Sequence, residues 1–332
     1  GRAPRRERVY ISVGPETCSK ATRQRTRKPS SQRGQVRGRL GNRNRKRNRR
    51  HGPINAPKRS WRKANWPTRI KMVLIPTVAV VVVVALVAGL VRFTNWRAQV
   101  RAAEAAQLEL TRTYDFNPGN IISDGQFFNG SAMSQAEVQS FLDTQGGSLA
   151  AMTFDTSNES GEGLCADYTG TKGESAATII DQSARACKVS QKVLLTVMQK
   201  EQHLVTAVDP SDYQLMAAMG LNCPDTADCD PAYAGFFRQV YGAAKRYRYY
   251  LEHEEQYGYT AHNLNYIQYH PNAACGGAQV YIENKATALL YIYTPYQPNI
   301  AALAAGNGTG DSCSSYGNRN FALIYTSWFG SP

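Results

Sequence analysis

Residues 190–205 read S-Q-K-V-L-L-T-V-M-Q-K-E-Q-H-L-V. Ser190 is a helix-capping residue, and Val193, Leu194, Val197, Met198, Leu204 and Val205 follow at the spacing that predicts a helix with one buried face. Glu201 falls on that face, four residues after Val197 and seven after Leu194, while Lys192, Gln199 and Lys200 are read as pointing elsewhere. Burying an ionised carboxylate is costly unless it is paired, and the usual relief is a raised pKa. A carboxyl group kept protonated near neutral pH is what a general acid needs to protonate a glycosidic oxygen. The competing reading is a structural ion pair that ties Glu201 to a neighbouring helix through a cation such as Arg238 or Lys245.

Outward from this helix, helical signals dominate, so the fold class is mainly α. Ser134 with Glu137 forms a capping box for a helix running to about Thr144, closed by Gly146 and Gly147. Residues 175–186 make a second short helix. Asp230 and Pro231 are read as the start of a long one, whose stripe of Tyr233, Phe236, Phe237, Val240, Tyr241, Ala244, Tyr247, Tyr250 and Leu251 marks a core helix. Further helices are expected at 285–293, 300–305 and 321–328. His262 and His270 fall in a loop-like stretch and read as surface groups.

The chain has 332 residues with 39 Lys+Arg against 25 Asp+Glu, a net charge of +14. That charge is not uniform: residues 1–71 hold 24 basic and 2 acidic side chains, a net +22, and the remainder is −8. A uniformly basic nucleic-acid-binding globule is excluded. Residues 1–71 have too few apolar side chains to offset the entropy of ordering and are read as a disordered basic tail, with 43–50 a run for anionic lipid or another polyanion. Residues 72–91 carry no charge over 20 positions, enough at ~1.5 Å each to cross a bilayer core, with Trp61, Trp66 and Trp96 suited to the interfaces. The Lys/Arg excess places the N-terminus in the cytoplasm and the C-terminal domain outside, in a single-pass plasma-membrane protein. Residues 92–113 read as a stalk helix and 114–332 as one extracytoplasmic domain.

Six of the seven cysteines, Cys165, Cys187, Cys223, Cys229, Cys275 and Cys313, lie after the apolar run, where disulfides form. Local order favours Cys165–Cys187, Cys223–Cys229 and Cys275–Cys313 among the possible connectivities. The histidines and cysteines show no zinc spacing, and no motif calls for a metal or a cofactor.

The run from Ser190 resembles the helix of lytic transglycosylases and goose-type lysozymes, in which an apolar stretch ends in the catalytic Glu, usually followed by Ser; Gln202 stands in that place here. Several further stretches resemble a domain of wall-associated Gram-positive proteins often labelled haemagglutinin-like. They are F-N-P-G-N-I-I-S-D from Phe116, M-G-L-N-C-P-D from Met219, Y-H-P-N-A-A-C from Tyr269, Y-T-P-Y-Q-P-N from Tyr293 and G-D-S-C-S-S-Y-G-N-R-N-F from Gly310. The first resemblance implies a lysozyme-like helical domain around a saccharide cleft and cleavage of β-1,4 bonds in peptidoglycan. Glu201 would be the acid, and in a transglycosylase also the base. Those enzymes usually carry G-L-M-Q after the Glu, whereas this chain has L-M-A-A-M-G-L-N from Leu215. A hydrolase would add a second carboxylate, for which Asp212 and Asp225 are the nearest candidates. Gln202, Tyr213, Gln214, Tyr281 and Tyr291 are candidates to line a groove for peptidoglycan or another wall polysaccharide. The alternative is a non-catalytic wall-binding or adhesion module on the same fold.

Overall fold

The computed structural model describes residues 65–223 and 229–332. The expected tail up to residue 64, with Cys18, Trp61 and the 43–50 run, lies outside the described residues, as does Asp225. Among the described residues the protein is mainly helical, with ten α-helices and two small antiparallel sheets.

The first helix, α1 (Trp66–Tyr114), has 49 residues. Its most apolar 18-residue window has mean hydropathy 2.9 and no buried residue, so by length and composition it is able to cross a membrane. The expected span and stalk are thus one continuous helix. Pro76 lies inside it, and the Thr77 hydroxyl donates to Val73 O at 2.8 Å in the same turn. Backbone contacts divide the chain after Arg92, and the unit that begins at Phe93 contains everything that follows.

That unit continues with α2 (Asp124–Phe127), α3 (Gln135–Gln145), strands β1 (Thr153–Phe154) and β2 (Glu174–Ser175), α4 (Ala176–Cys187), α5 (Gln191–Gln202) and α6 (Asp212–Met216). It ends with α7 (Phe236–Glu252), β3 (Asn263–Gln268), β4 (Gly277–Ile282), α8 (Lys285–Tyr293), α9 (Ile300–Ala304) and α10 (Gly317–Phe329). The caps form as the sequence suggests. Ser134 and Glu137 make the capping box of α3, and Gly146 closes it at φ 72°. The Ser175 side chain accepts from Thr178 N at the start of α4. All three local disulfides, Cys165–Cys187, Cys223–Cys229 and Cys275–Cys313, are present.

Three expectations are corrected. The long aromatic helix starts at Phe236, not at Asp230, because Gly235 takes φ 103° and interrupts the helical path. Asp230 instead closes a turn, accepting from Ala232 N on its side chain at 3.0 Å and from Tyr233 N on its carbonyl at 2.9 Å. The stretch between His262 and His270 is strand β3, paired with β4 from Asn263↔Ile282 to Gln268↔Gly277. Finally α5 does not lie on one face: Leu195, Thr196 and Gln199 are buried along with Val193, Leu194, Val197 and Met198. It packs against α4 and α10 and is a central helix. His203, at φ 56°, ends it, so Leu204 and Val205 belong to a following 3-10 turn.

The core is rich in tyrosine. Tyr247 on α7 meets Phe127 edge-on at 5.1 Å and stacks on Tyr293 of α8 at 5.1 Å. Gln107 of α1 is buried and bridges one residue of β4, accepting from Tyr281 N at 2.7 Å and donating to Tyr281 O at 3.2 Å. Burial pushes Tyr241, Tyr259 and Tyr325 up to about 12, aided at Tyr241 by the charge of Asp167 and at Tyr259 by Tyr296.

A raised tyrosine favours the folded state fully below its unfolded value of about 10, and that contribution is lost as pH rises through the folded value. The thermal midpoint should therefore drop steeply between about pH 10 and 12. Absorbance at the tyrosinate band should resolve a late-titrating class in the same window. A midpoint flat across that range would contradict the assignment.

Candidate functional site

Glu201 sits in the last turn of α5, which Ser190 caps at its other end by accepting from Lys192 N. Its side chain is 13% exposed and its Oε1 lies 2.6 Å from Lys200 Nζ. The Lys200 side chain, 7% exposed, also donates to Thr294 Oγ1 at 3.1 Å and stands 5.4 Å from the centre of the Tyr293 ring. Lys200 and Gln199 therefore do not point away from the packed side as the sequence suggested. A long aliphatic stem can be buried when its ammonium finds partners, and here they come from α8 and the residue after it. Gln199 likewise spans back to Thr206, accepting from its N at 3.3 Å and donating to its Oγ1 at 2.9 Å. Arg238 and Lys245 are engaged elsewhere, with Glu159 at 3.8 Å and Glu162 at 3.4 Å.

The other carboxylate oxygen faces backbone. A Cβ placed on Gly220 would stand 3.1 Å from Glu201 Oε2 and 3.3 Å from its Cδ, and Gly220 has φ 72°. Only glycine combines that conformation with that approach. The strip 219–221 is pinned by Gln239, a fully buried side chain of α7. Its Oε1 accepts from Met219 N at 3.1 Å and Leu221 N at 3.0 Å, and its Nε2 donates to Leu221 O at 2.8 Å and Tyr233 O at 2.9 Å. The Tyr293 hydroxyl donates to Met219 O from the opposite side. The stretch that departs from G-L-M-Q is thus the one that passes over the acid.

Tyr247 joins the group through its ring, which stacks on Tyr293. Its hydroxyl is buried with no hydrogen-bond partner among the described residues. Burial, and next the negative charge of Glu201, raise its pKa well above the ordinary tyrosine value. Glu201 is therefore the centre of a group that includes Lys200, Gly220, Gln239, Tyr247, Tyr293 and Thr294. Of these only Glu201 was singled out as a site residue from sequence. A glutamine or tyrosine on a helix carries no local signal of such a role.

The other sequence candidates divide. Gln202 is 5% exposed, its Nε2 buried with no hydrogen-bond partner among the described residues, and its carbonyl accepts from Gln214 Nε2 at 2.8 Å. Gln214 also completes a capping box with Ser211, so it hooks α6 onto the end of α5. Asp212 and Tyr213 stand exposed at the start of α6, next to that hook. Tyr281 is half-buried on β4, where its backbone is held by Gln107. Tyr291 is fully buried and its hydroxyl donates to Pro118 O at 2.9 Å, so it is a core residue with no surface to offer a groove. Among the described residues no group of three or more His, Cys, Asp or Glu is placed to hold a metal ion.

Residues 120–332 match the family model described as LasA, N-terminal domain. The chain belongs to that family. No curated protein and no solved structure matches it. The LasA N-terminal domain is wall-related and associated with peptidases, and the match carries no lysozyme-like assignment. Within the LasA-type domain of this chain, the matched stretch takes in the whole group around Glu201.

Gln239→Leu keeps the volume but takes a bond from Met219 N, Leu221 N, Leu221 O and Tyr233 O, at about 1–3 kcal/mol for each group left unpaired. A combined loss of several kcal/mol is expected in chemical denaturation. Gly220→Ala should cost about 1–2 kcal/mol from the left-handed conformation alone. Both variants within about 0.5 kcal/mol of the parent would show that the strip is not held as described.

Proposed function

We propose that the LasA-type domain of this chain is an extracytoplasmic, wall-directed domain that cleaves β-1,4 glycosidic bonds of peptidoglycan, with Glu201 as the single acid. The observation that carries this reading is the carboxylate of Glu201, partly exposed at 13% and held by Lys200 on one oxygen while the other faces the Gly220 strip. Sugar-bond cleavage needs a carboxyl held in one orientation that gives a proton to the leaving oxygen as the C–O bond breaks, and in this reading the Lys200 ammonium, 2.6 Å from Glu201 Oε1, supplies that proton through the carboxyl. The wall-related family, the disulfides and the likeness of α5 to the lytic transglycosylase helix support the same reading.

In this reading the apolar part of α1 anchors the chain in the plasma membrane, with the basic N-terminus in the cytoplasm, where it meets anionic lipid or another polyanion. Gln202 and Gln214 shape the floor beside Glu201, Tyr213 offers a ring at the rim, and Asp212 or Asp225 holds water if the reaction is hydrolysis.

A non-catalytic wall-binding module is the second reading. The observation that favours it is the ion pair itself, since a carboxylate paired at 2.6 Å with a buried ammonium also serves as a structural tie. The purified protein incubated with isolated peptidoglycan separates the two. Catalysis gives soluble glycan fragments, and Glu201→Gln should lower their release by about 10²- to 10⁴-fold at a temperature where circular dichroism shows the variant still folded. Sedimentation with walls and no soluble product over long incubation would support the binding module. Equal release by Glu201→Gln would remove Glu201 from the chemistry.

A further inference from the structure

The part of α1 that follows the apolar run carries a cluster with no role at Glu201. The run ends at Val91, and residues 93–101 continue the helix as part of the unit that begins at Phe93. There the Phe93 ring is stacked on that of Trp96 at 6.1 Å, and the Arg97 guanidinium stands 5.9 Å from the centre of the Phe93 ring. Arg97 is thus drawn back one turn toward the apolar run, the direction in which long helical side chains lean. Phe93 is nonetheless 55% exposed, and Arg97 and Arg101 are exposed with it.

The charges of this stretch have one sign. The first acid after the apolar run is Glu104, and no ion pair engages Arg97 or Arg101 among the described residues. Height along the helix sets what the cluster meets. At ~1.5 Å per residue Phe93 and Trp96 stand roughly 3 and 7 Å beyond the end of the run, inside a headgroup layer roughly 5–7 Å deep. Arg97, roughly 9 Å out, reaches that layer through its lean toward Phe93, and Arg101, roughly 15 Å out, lies about one screening length above it. Aromatic rings are favoured in such a layer, and its phosphates are the oxyanions that a guanidinium fork fits.

We propose that Phe93, Trp96, Arg97 and Arg101 form a collar that selects anionic glycerophospholipids in the leaflet facing the folded domain. The inference rests on the reading that residues 72–91 cross the membrane with that domain outside. Continuity with the apolar run and charge complementary to a lipid phosphate commit the collar to lipid. The stacked rings fix the depth of the helix, Arg97 holds the phosphate, and Arg101 adds attraction at longer range. No Gly or Pro interrupts the helix from Phe93 to Tyr114, so the depth fixed at the collar is carried unbroken to Gln107 and its bonds with β4.

The full chain in asymmetric vesicles tests this, inserted with the folded domain outward and with anionic lipid only in the outer leaflet, away from the basic tail. Electron paramagnetic resonance of chain-spin-labelled phosphatidylglycerol and phosphatidylcholine reads how much of each lipid the protein holds. A preference of about fivefold for phosphatidylglycerol is expected at low salt, falling toward equality in about 1 M salt. The double variant Arg97→Gln/Arg101→Gln should lose it, and Arg97→Lys and Glu201→Gln should keep it. Equal association of the two lipids with the inserted protein, or a preference that survives in the double variant, would overturn the collar and leave the span standing. Cutting within residues 72–91 of the vesicle-bound chain by proteinase K would overturn the span and the collar together. Binding of soluble polyglycerol phosphate through Arg97 and Arg101, with no preference between the lipids, would overturn it in favour of a wall polymer.

Discussion

The helix α5 is enclosed by other elements along its length, and its last turn carries two adjacent charges, on Lys200 and Glu201. Neither side chain reaches far into water, so each must be compensated inside the protein. The compensation reaches through the domain. Lys200 takes Glu201, Thr294 and the face of Tyr293, which brings the end of α8 against the end of α5. Glu201 in turn faces a strip of backbone at 219–221 that only a glycine allows so near. Removing either charge would leave the other buried and unpaired, usually a larger penalty than the pair contributes.

Gln239 extends the same constraint to α7. One buried amide satisfies two N–H groups and two carbonyls around Met219 and Leu221, so the strip over the acid is as fixed as the helices that flank it. Tyr247, stacked on Tyr293, keeps a buried hydroxyl that has no hydrogen-bond partner among the described residues and feels the charge of Glu201. Buried polar groups left without partners are rare in natural folds. A rigid acid, an orphaned hydroxyl and a backbone strip at close approach form a more specific arrangement than an ion pair alone.

Much of the fold was legible because its signals are local. The Ser134–Glu137 box, the bounds of α8 and the three short-range disulfides each depend on a few neighbouring residues. The hairpin was hidden because an inward position of β3 is Asn265, 6% exposed, which breaks the apolar alternation. Its amide is satisfied by Thr260 and Asn263. The start of α7 was misplaced because Asp230 and Pro231 fit a turn as well as a helix, and Gly235 decides between them. At the site, Glu201 could be found from its place in the apolar pattern. Lys200 could not, since Tyr293 and Thr294, the partners that draw it inward besides the adjacent Glu201, lie more than ninety positions away in the chain. Gln239 and Tyr247 were illegible because their partners are set by how the loop at 219–221 and the end of α5 pack on α7, and Tyr291 was taken as a groove candidate because a tyrosine in the core differs from one in a groove only by what surrounds it.

The central claim is that the carboxyl of Glu201 meets a sugar linkage. Mass spectrometry of the fragments released from peptidoglycan tests this most directly, because it identifies the bond that is cut. Fragments with new reducing or internally cyclised sugar ends and intact peptides are expected. Fragments whose glycan strands are whole and whose peptides carry the new ends would contradict the account, and would place the chemistry of this domain with the peptidases that its family accompanies.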